Sequence, residues 1–453
     1  MKKADVLVIG GSASGIVTAL TGKNHYPDKS FIIIRREQEV LVPCGIPYIF
    51  GSLESIEQNV IPDENLNNAG IQILIDEVNS LDLNEKVCET SAGEKIVFDR
   101  LVFATGSIPT IPKWLKGIEL ENVFSVPKNK VYIEKCLKRL QDTKKIVVIG
   151  GGFIGVELAD ELNKTGKEVT IVEILPHLLG SVFDDDIAIK VEETLLSRGV
   201  TIKTGYGAKE IKGEEKVSGV MLQNGDHLDA DAVILSMGYK PNTELARKSG
   251  IATNDAGFIK VDEYMRTGIS HIFAVGDCAE KIDFTTRKPS PTMLASTACA
   301  EATTTGMNLY KLSTVKTFKG TIAIFSTALG NNGFGVAGIT ESAAIKEGFD
   351  IITATFEGVD KHPGKLPGMH PQIVKLVVAK DSGIILGGSV AGGYSTGELV
   401  NTIGLAIQNR MTVSSILTSQ IGTHPLLTAP PTAYPLFKAA QIAVQKVNQL
   451  GSL

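Results

Sequence analysis

One cysteine stands out for its sequence context. Cys44 lies in "VLVPCGIPYIFG", residues 40 to 51, between two prolines and directly before a glycine. A cysteine thiolate is a nucleophile toward sulfur or peroxide, and the run "CGIPYIFG" predicts a helix whose N-terminal dipole lowers the pKa of the thiol. The alternative is a buried structural cysteine, because free cysteines often behave as small apolar residues. The cysteines at 44, 88, 136, 278 and 299 match neither a disulfide framework nor a zinc pattern, so we expect mostly reduced thiols and no metal site.

A glycine-rich segment in the middle of the chain indicates a dinucleotide site. In "KIVVIGGGFIG", residues 145 to 155, an apolar strand leads to Gly150, Gly152 and Gly155. These glycines permit the tight turn, the close approach of a pyrophosphate and the packing of helix on strand. Glu173 ends the next apolar run, where its carboxylate can accept both ribose hydroxyls and repel a 2'-phosphate. This pattern favours NADH over NADPH.

A less regular copy of the same motif begins the chain. In "DVLVIGGSASG", residues 5 to 15, Gly10 and Gly15 fit, whereas Ser12 takes the middle glycine position. The acid expected after "SFIII" is replaced by Arg35 and Arg36, so the adenosine ribose contact would fall to Glu37. A dinucleotide still fits this turn.

Two further strand ends indicate which dinucleotide this is. "LVFATGSIP" covers residues 101 to 109, and "HIFAVGDCAE" covers residues 271 to 280 and ends in Gly276 and Asp277. An acid at the end of a strand suits the hydroxyl-rich ribityl and pyrophosphate region of FAD, although a solvated turn aspartate is the alternative.

Composition narrows the classes of function. The formal net charge of -5 gives no reason to expect nucleic acid or a polybasic membrane contact. No window offers the roughly 20 uninterrupted apolar residues of a membrane span. We therefore expect a cytoplasmic protein without a membrane or nucleic-acid partner.

Together, in this order, "PCGIPY", "ATGSIP", "GGGFIGVELA" and "FAVGDCA" carry a family resemblance over the whole chain. The sequence resembles the flavin-dependent pyridine nucleotide-disulfide oxidoreductases. It is most similar to the single-cysteine branch of coenzyme A-disulfide reductases, NADH-dependent persulfide reductases, NADH oxidases and NADH peroxidases. The resemblance implies an α/β fold with two Rossmann-like domains, for FAD and NAD, and a C-terminal α+β dimerisation domain. With the motifs and proline breaks, it predicts an FAD domain at 1–112 and 243–318, an NAD(P)H domain at 113–242 and an interface domain at 319–453.

The resemblance also implies roles for individual residues. Two-cysteine relatives have a second thiol five positions after the first, where this chain has Ile49, so Cys44 would cycle between a thiolate and a bond to an external group. Phe153 would cover the nicotinamide face of the flavin, and Glu157 would lie near the nicotinamide, with a solvated helix residue as its alternative. The residues assigned to FAD and NADH binding, with NADPH as the second choice of nucleotide, are Gly10, Gly11, Ser12, Ala13, Gly15, Arg35, Glu37, Pro43, Val78, Ala104, Thr105, Gly106, Gly150, Gly152, Phe153, Ile154, Gly155, Glu157, Glu173, Gly238, Gly276, Asp277, Leu294, Ala295 and Ser296.

Departures from the family patterns bear on the electron acceptor. Ala13 stands where peroxidases and oxidases of this branch carry histidine, which favours a small-molecule sulfur substrate. Val40 and Pro43 replace the small polar residue and the asparagine that contact coenzyme A. Lys23 is a candidate for contact with its nucleotide phosphate, with a solvated lysine as the alternative. Persulfides, polysulfide and disulfides therefore remain candidate substrates. An oxidase or peroxidase, and a reductase with a protein as electron acceptor, remain the alternative functions.

The C-terminal segment supplies two candidate proton donors. His424-Pro425 resembles the His-Pro of glutathione-reductase-like enzymes, whose histidine acts across the dimer interface. Tyr434 resembles the interface tyrosines of coenzyme A-disulfide reductases. The alternative for both is simple packing at the interface of a homodimer. His362 and His370 lie in a turn-rich loop that indicates no role by itself.

Overall fold

The fold is built around one mixed sheet, one parallel sheet and one antiparallel sheet. The computed structural model describes residues 1–316, 319–362 and 365–450. Residue 318, which ends the predicted FAD domain, and residues 451–453 of the predicted interface domain lie outside these ranges. In the described residues the α-helices are α1 (Ala13–His25), α2 (Glu64–Asn68), α3 (Lys130–Leu140), α4 (Phe153–Lys164), α5 (Asp185–Ser197), α6 (Glu244–Lys248), α7 (Ala295–Asn308), α8 (Glu341–Lys346), α9 (Thr396–Gln408), α10 (Val413–Leu417) and α11 (Pro435–Leu450).

The strands are β1 (Lys2–Ile9), β2 (Phe31–Arg35), β3 (Val40–Leu41), β4 (Val60–Ile61), β5 (Gln72–Ile75), β6 (Val78–Asp82), β7 (Val87–Thr90), β8 (Lys95–Phe103), β9 (Ser107–Pro109), β10 (Val123–Ser125), β11 (Lys145–Ile149), β12 (Glu168–Glu173), β13 (Thr201–Thr204), β14 (Ala208–Gly213), β15 (Val217–Leu222), β16 (His227–Asp229), β17 (Ala232–Leu235), β18 (Tyr239–Pro241), β19 (Ile272–Ala274), β20 (Lys281–Ile282), β21 (Pro289–Ser290), β22 (Ile324–Leu329), β23 (Asn332–Gly338), β24 (Ile351–Val359), β25 (Pro371–Ala379) and β26 (Ile385–Gly392).

The first sheet contains strands from both sequence segments of the predicted FAD domain, 1–112 and 243–318. Its order is β5-β2-β1-β8-β7-β6, and β19 pairs in parallel with the end of β8. Every residue of β2 is buried, as expected for a strand of a parallel sheet covered on both faces. Helices α1 and α7 pack against each other closely enough that a Cβ on Gly306 would lie 2.8 Å from the Thr21 side chain. Strand ends from distant segments therefore meet at one edge of this sheet.

The second sheet is wholly parallel and has the order β10-β17-β11-β12-β13. Helix α4 follows β11 directly, and the antiparallel strands β14, β15 and β16 form a separate small sheet beside it. This is the doubly wound arrangement that the glycine motif of residues 145 to 155 predicts.

The C-terminal part is α+β, as predicted. Its five-stranded antiparallel sheet has the order β22-β23-β26-β25-β24, and α9 and α11 pack on it. An ion cluster around the buried Lys375 joins this part to the second sheet domain: Lys375 lies 3.2 Å from Asp184, 3.1 Å from Asp186 and 2.7 Å from Glu341. Asp184 also accepts hydrogen bonds from the first backbone N–H groups of α8. No helix in the described ranges is long and apolar enough to cross a bilayer.

Candidate active site

Cys44 lies on a tightly constrained turn. It is exposed, within a short 3-10 helix of residues Pro43–Gly45. The buried Asn59 side chain donates to the Val42 carbonyl at 3.0 Å, and Val42 N–H donates to the Asn59 carbonyl at 2.8 Å. A Cβ on Gly45 would lie 1.9 Å from Asn59 Oδ1, so the residue after the cysteine must be glycine for this turn to close. The thiol is thereby presented on a fixed backbone.

The helix predicted to begin at Cys44 is wrong. The segment forms two short 3-10 helices, Pro43–Gly45 and Pro47–Phe50, because Pro47 has no N–H with which to continue an α-helical ladder. The segment that carries Cys44 therefore provides no long helix dipole, and the predicted lowering of the pKa of the thiol is also wrong. The pKa of Cys44 is raised, first by loss of hydration and then by the nearby Glu157 carboxylate, while Lys128 opposes the rise and Asp277 adds to it.

Of the carboxylates that act on the Cys44 thiol, Glu157 raises its pKa the most. It lies on α4, and its Oε1 accepts a 2.8 Å hydrogen bond from Thr327 Oγ1 of β22. Burial raises the pKa of Glu157 to about 7, with a further rise from Glu161, against the lowering effect of the Thr327 hydrogen bond. Near neutral pH, this side chain can therefore give or take a proton beside Cys44.

Asp277 is kept ionised on the other side of the cleft. Its Oδ2 accepts from Lys128 Nζ at 2.8 Å and from Ser107 Oγ at 2.7 Å. Burial alone would raise the pKa of Asp277, but the Lys128 ammonium and the two hydrogen bonds lower it overall. A fixed anion at this strand end suits a hydroxyl-rich ligand, as the sequence predicts.

The two glycine turns have the shape of dinucleotide cradles. Gly10 has a φ of +112°, and a Cβ there would lie 2.1 Å from the Ala104 carbonyl oxygen. Gly150 has a φ of +111°, and a Cβ there would lie 2.4 Å from the Ser236 carbonyl oxygen. A Cβ on Gly152 would meet nothing within 4 Å, which leaves room for a ligand at the N-terminus of α4. No side chain caps α1, α4 or α7 at its N-terminus, so their first N–H groups are available to anions. These features fit FAD at the first turn and NAD(H) at the second.

Glu173 and Arg35 occupy equivalent places in the two sheets. Ile149 pairs with Val172, and Ile9 pairs with Ile34, so each of the two residues follows directly at the strand end. Glu173 accepts from the N–H groups of Gly151 at 2.6 Å and Leu175 at 2.8 Å, which fixes its carboxylate beside the turn.

Family models match most of the chain. A model described as pyridine nucleotide-disulphide oxidoreductase matches residues 4–302, and a model of the dimerisation domain of these proteins matches residues 324–434. The chain belongs to this family. It is thus a FAD-dependent oxidoreductase that uses a pyridine nucleotide, and the predicted family and fold class are confirmed.

Named relatives differ in their electron acceptors. The chain is 29% identical to an NADH oxidase of Enterococcus faecalis over 94% of this chain and 96% of that one. It is 30% identical to an NAD(P)H coenzyme A polysulfide/persulfide reductase of Pyrococcus horikoshii over 86% of this chain and 88% of that one. An NAD-dependent persulfide reductase structure from A. fulgidus superposes with a TM-score of 0.91 at 28% identity, covering 98% of this chain and 84% of that one.

Arg35 requires a correction to its predicted role in this oxidoreductase. Its side chain is 2% exposed and pairs with Asp63 at 2.5 Å, and it also donates to the carbonyls of Glu37 and Gln38, both at 2.9 Å. The guanidinium is thus paired within the protein, while the Arg35 side-chain carbons pack against Gly11 of the first turn. Lys23 is likewise turned inward, because its Nζ donates to the carbonyls of Pro27 and Lys29 at 2.7 Å and 2.9 Å.

We expect Asp63→Ala to destabilise the oxidoreductase by about 2 kcal/mol, because it leaves the buried Arg35 guanidinium without its carboxylate. The melting temperature should fall while the purified protein keeps its full FAD content. Glu77→Ala is the control: it removes an exposed ion pair with Arg36, 3.4 Å long, and should leave the melting temperature unchanged. Equal melting temperatures in both variants would contradict the structural role of the Arg35 pair.

The other predicted cofactor residues fall into three places. In and after the two strands of the first motif lie Gly11, Ser12, Ala13, Gly15 and Glu37; in later parts of the predicted FAD domain lie Pro43 at the start of the Cys44 3-10 helix, Val78 at the start of β6, Ala104, Thr105 and Gly106 between β8 and β9, and Gly276 after β19; and in the remaining places lie Gly238 before β18, Phe153, Ile154 and Gly155 at the start of α4, and Leu294, Ala295 and Ser296 at the start of α7. Phe153 contacts Phe325 edge-on, with ring centroids 4.7 Å apart. Thr105 Oγ1 donates to the Asn242 carbonyl at 2.6 Å, which ties the cleft to the end of β18.

In the described residues of one chain, no hydrogen bond, ion pair or ring contact joins His424 or Tyr434 to Cys44. His424 is exposed, and its Nδ1 accepts from Leu426 N–H at 3.3 Å. Tyr434 is half-buried and packs edge-on against Phe437, with centroids 5.8 Å apart. The exposed His424 and the apolar, exposed Leu426 and Leu427 lie on the matched dimerisation domain.

Sequence reasoning missed several residues of the site. Asn59 and Lys128 are distant from Cys44 in sequence and belong to no motif. Cys299 on α7 lies close enough to add to the raised pKa of Cys44. The five-residue spacing of a second thiol is a local pattern and carries no signal for a cysteine that the fold supplies from a separate helix.

Proposed function

We propose that this oxidoreductase uses NADH, through bound FAD, to reduce a sulfur–sulfur bond in a small molecule at Cys44. The substrate class is coenzyme A persulfide, polysulfide or a coenzyme A disulfide. The observation that carries the proposal is the exposed thiol on a locked turn, facing an ionisable Glu157 at the junction of the two nucleotide domains.

The chain's own groups supply the sulfur chemistry. The Cys44 thiolate attacks one sulfur of the substrate, forms a mixed disulfide or persulfide, and releases the other sulfur as a thiolate or hydrosulfide. Bound FAD supplies the two-electron carrier that links NADH to this bond. Two electrons then break the bond, and Cys44 returns to the thiolate. The net reaction with a disulfide consumes NADH and one proton and yields NAD⁺ and two thiols.

The neighbouring residues control protonation and geometry. Glu157 holds a proton beside Cys44 near neutral pH, and its neutral form removes one source of repulsion for the thiolate. Asn59 and Gly45 keep the sulfur in one place, so that it meets both substrate and electron carrier. His424 and Tyr434 enter the proposal only from a partner subunit, as donors to the departing thiolate, and this requires the homodimer that the dimerisation domain implies.

A second candidate is an NADH oxidase, because a relative with that name is almost as similar in sequence as the persulfide reductase. The two candidates differ in anaerobic behaviour. A sulfur reductase consumes NADH without oxygen when a sulfur acceptor is added, whereas an oxidase needs oxygen. Rapid NADH consumption with oxygen alone, and none with sulfur acceptors, would replace the proposed function with the second candidate. We place the enzyme in the cytoplasm, where reduced cysteines are the rule.

Nucleotide preference provides a separate test. We expect Glu173→Ala to lower the ratio of kcat/KM for NADH to that for NADPH by about tenfold or more, because one charged acceptor for the ribose is lost. Glu168→Ala is the matched control, since Glu168 is an exposed residue at the opposite end of the same strand. An unchanged ratio in Glu173→Ala would refute this assignment.

A further inference from the structure

A buried ion pair that the sulfur chemistry does not use lies in the predicted FAD domain. Lys281 of β20 and Glu301 of α7 have side chains that are only 1% and 6% exposed, and Lys281 Nζ lies 3.7 Å from Glu301 Oε1. Replacing a buried ion pair by apolar residues of similar size is often neutral or stabilising, so stability alone does not account for the pair. The backbone groups that the two side chains bind indicate their role.

Both side chains bind Gly276. Glu301 Oε2 accepts a hydrogen bond from the Gly276 N–H at 2.9 Å. Lys281 Nζ donates to the Gly276 carbonyl at 2.7 Å and to the Ala279 carbonyl at 3.0 Å. Gly276 has a φ of +75°, a conformation that residues with a side chain rarely adopt. Two opposite charges therefore fix the peptide groups on either side of a residue with unusual backbone geometry.

The turn at Gly276 contacts two helices of the first sheet domain. A Cβ on Gly276 would lie 2.7 Å from Ser14 Oγ in the first turn of α1 and 3.5 Å from the Ala298 Cβ in the first turn of α7. Asp277, the anion fixed in the cleft, is the next residue. The N-termini of α1 and α7, both without a side-chain cap, thus meet the acidic strand end at this one turn.

The position of Glu301 connects the turn to α7. Because Glu301 is part of α7, its bond to the Gly276 N–H holds the first turn of that helix beside Asp277. The sequence assigns Asp277 and residues 294–296 at the start of α7 to FAD binding. The groups predicted to bind the cofactor therefore lie on both sides of the contact that Glu301 makes.

We propose that Glu301 and Lys281 are positioning residues for FAD, which act through the backbone of Gly276 to hold Asp277 and the start of α7 in the arrangement that binds the cofactor. A site that is already arranged loses less conformational entropy when its ligand binds. The pair should therefore raise the affinity for FAD more than it stabilises the fold. The proposal concerns the flavin site and does not depend on which acceptor Cys44 reduces.

The test measures the affinity of full-length variants for FAD. Each variant is purified with FAD, and the fluorescence of the FAD released on dilution gives the dissociation constant. Lys281→Met/Glu301→Leu replaces the pair by apolar side chains and should raise this constant by at least about 30-fold, because the Gly276 N–H loses its acceptor and the turn must be reordered by FAD. Glu301→Gln keeps an acceptor for that N–H and should stay within about threefold of wild type.

Lys281→Met is a second variant, in case the double variant does not fold. Burial raises the pKa of Glu301, whereas Lys281, the Gly276 N–H and Lys316 each oppose that rise. Without Lys281, the carboxyl group can take up a proton and still accept the Gly276 hydrogen bond, so no unpaired charge is left in the core. The loss of the Lys281 bond to the Gly276 carbonyl should nevertheless raise the dissociation constant for FAD by about tenfold.

Lys375→Met is the matched control for the loss of a buried lysine. The Lys375 side chain is 7% exposed and is paired with three carboxylates away from the Gly276 turn in sequence. This variant should have a lower melting temperature, because it leaves those carboxylates without their cation. Its dissociation constant for FAD should equal that of the wild type.

Three results would overturn the proposal. One is a dissociation constant for FAD in Lys281→Met within threefold of the wild-type value. Another is an equal rise in Glu301→Gln and in the double variant, which would mean that the hydrogen bond to Gly276 has no special part. The third is an equal rise in Lys375→Met, which would mean that FAD affinity follows the stability of the fold alone. Failure of the proposed sulfur chemistry is distinct, because it would be seen as sulfur-acceptor activity that survives Cys44→Ser.

Discussion

Cys44→Ser is expected to lower anaerobic NADH oxidation with polysulfide, coenzyme A persulfide or coenzyme A disulfide by at least about a thousandfold in kcat. A serine hydroxyl is not ionised near neutral pH and cannot form the sulfur–sulfur bond through which the electrons pass. Reduction of the bound flavin by NADH should stay close to the wild-type rate, because Cys44 takes no part in nucleotide binding. Stopped-flow absorbance measures flavin reduction, and steady-state assays measure the sulfur acceptors.

Cys299→Ser is the matched control for this prediction. Cys299 is the other cysteine whose charge acts on Cys44, and it lies on α7 and not on the locked turn. Its replacement should leave the sulfur-acceptor rate within about twofold of wild type. A loss in Cys299→Ser as large as that in Cys44→Ser would assign the chemistry to a pair of thiols and contradict the single-cysteine proposal.

The second prediction of a large effect concerns the two glycine turns. A substitution in the first turn should impair FAD binding, and one in the second turn should impair reduction by NADH. Gly10→Ala places a methyl group 2.1 Å from the Ala104 carbonyl oxygen at a φ of +112°, so the first turn must open and the purified protein should contain little FAD. Gly150→Ala places its methyl group 2.4 Å from the Ser236 carbonyl oxygen, in the second sheet. That variant should keep its FAD but lose reduction by NADH by about 100-fold or more, while dithionite still reduces it.

Gly70→Ala separates backbone strain from steric collision. Gly70 also has a positive φ, of +70°, but a Cβ there would meet nothing within 4 Å. It should cost about 1 kcal/mol in stability and leave FAD content and NADH reduction unchanged. If Gly10→Ala retained full FAD, or if Gly150→Ala were reduced by NADH as fast as wild type, the assignment of the two turns would be wrong.

The strands, turns and helices around the local motifs could be predicted from the sequence, because each motif describes one continuous strand, turn and helix. The turns at Gly10 and Gly150 and the strand end at Glu173 are of this kind. The start of α7 at Ala295, with Leu294 as its N-cap, also agrees with the sequence-based expectation. The helix at Cys44 was wrong because the effect of a second proline, Pro47, outweighed the general helical pattern.

The remaining features depend on contacts between distant segments. Arg35 occupies the place where an acid is expected, and only the folded chain shows that Asp63 neutralises it. Lys128 reaches Asp277 across 149 positions of sequence, and Thr327 reaches Glu157 across 170. Sequence spacing carries no signal for such pairs. The predicted roles of His424 and Tyr434 depend in addition on contacts with a second subunit.

The most direct test of the central proposal is to locate the transferred sulfur. The FAD-loaded enzyme is treated anaerobically with polysulfide, freed of excess reagent and digested, and mass spectrometry then identifies which cysteine carries an added sulfur atom, before and after one equivalent of NADH. We expect the added sulfur on Cys44, and its loss as hydrosulfide after NADH. An unmodified Cys44, or an added sulfur that NADH does not remove, would contradict the proposal that Cys44 is the redox nucleophile.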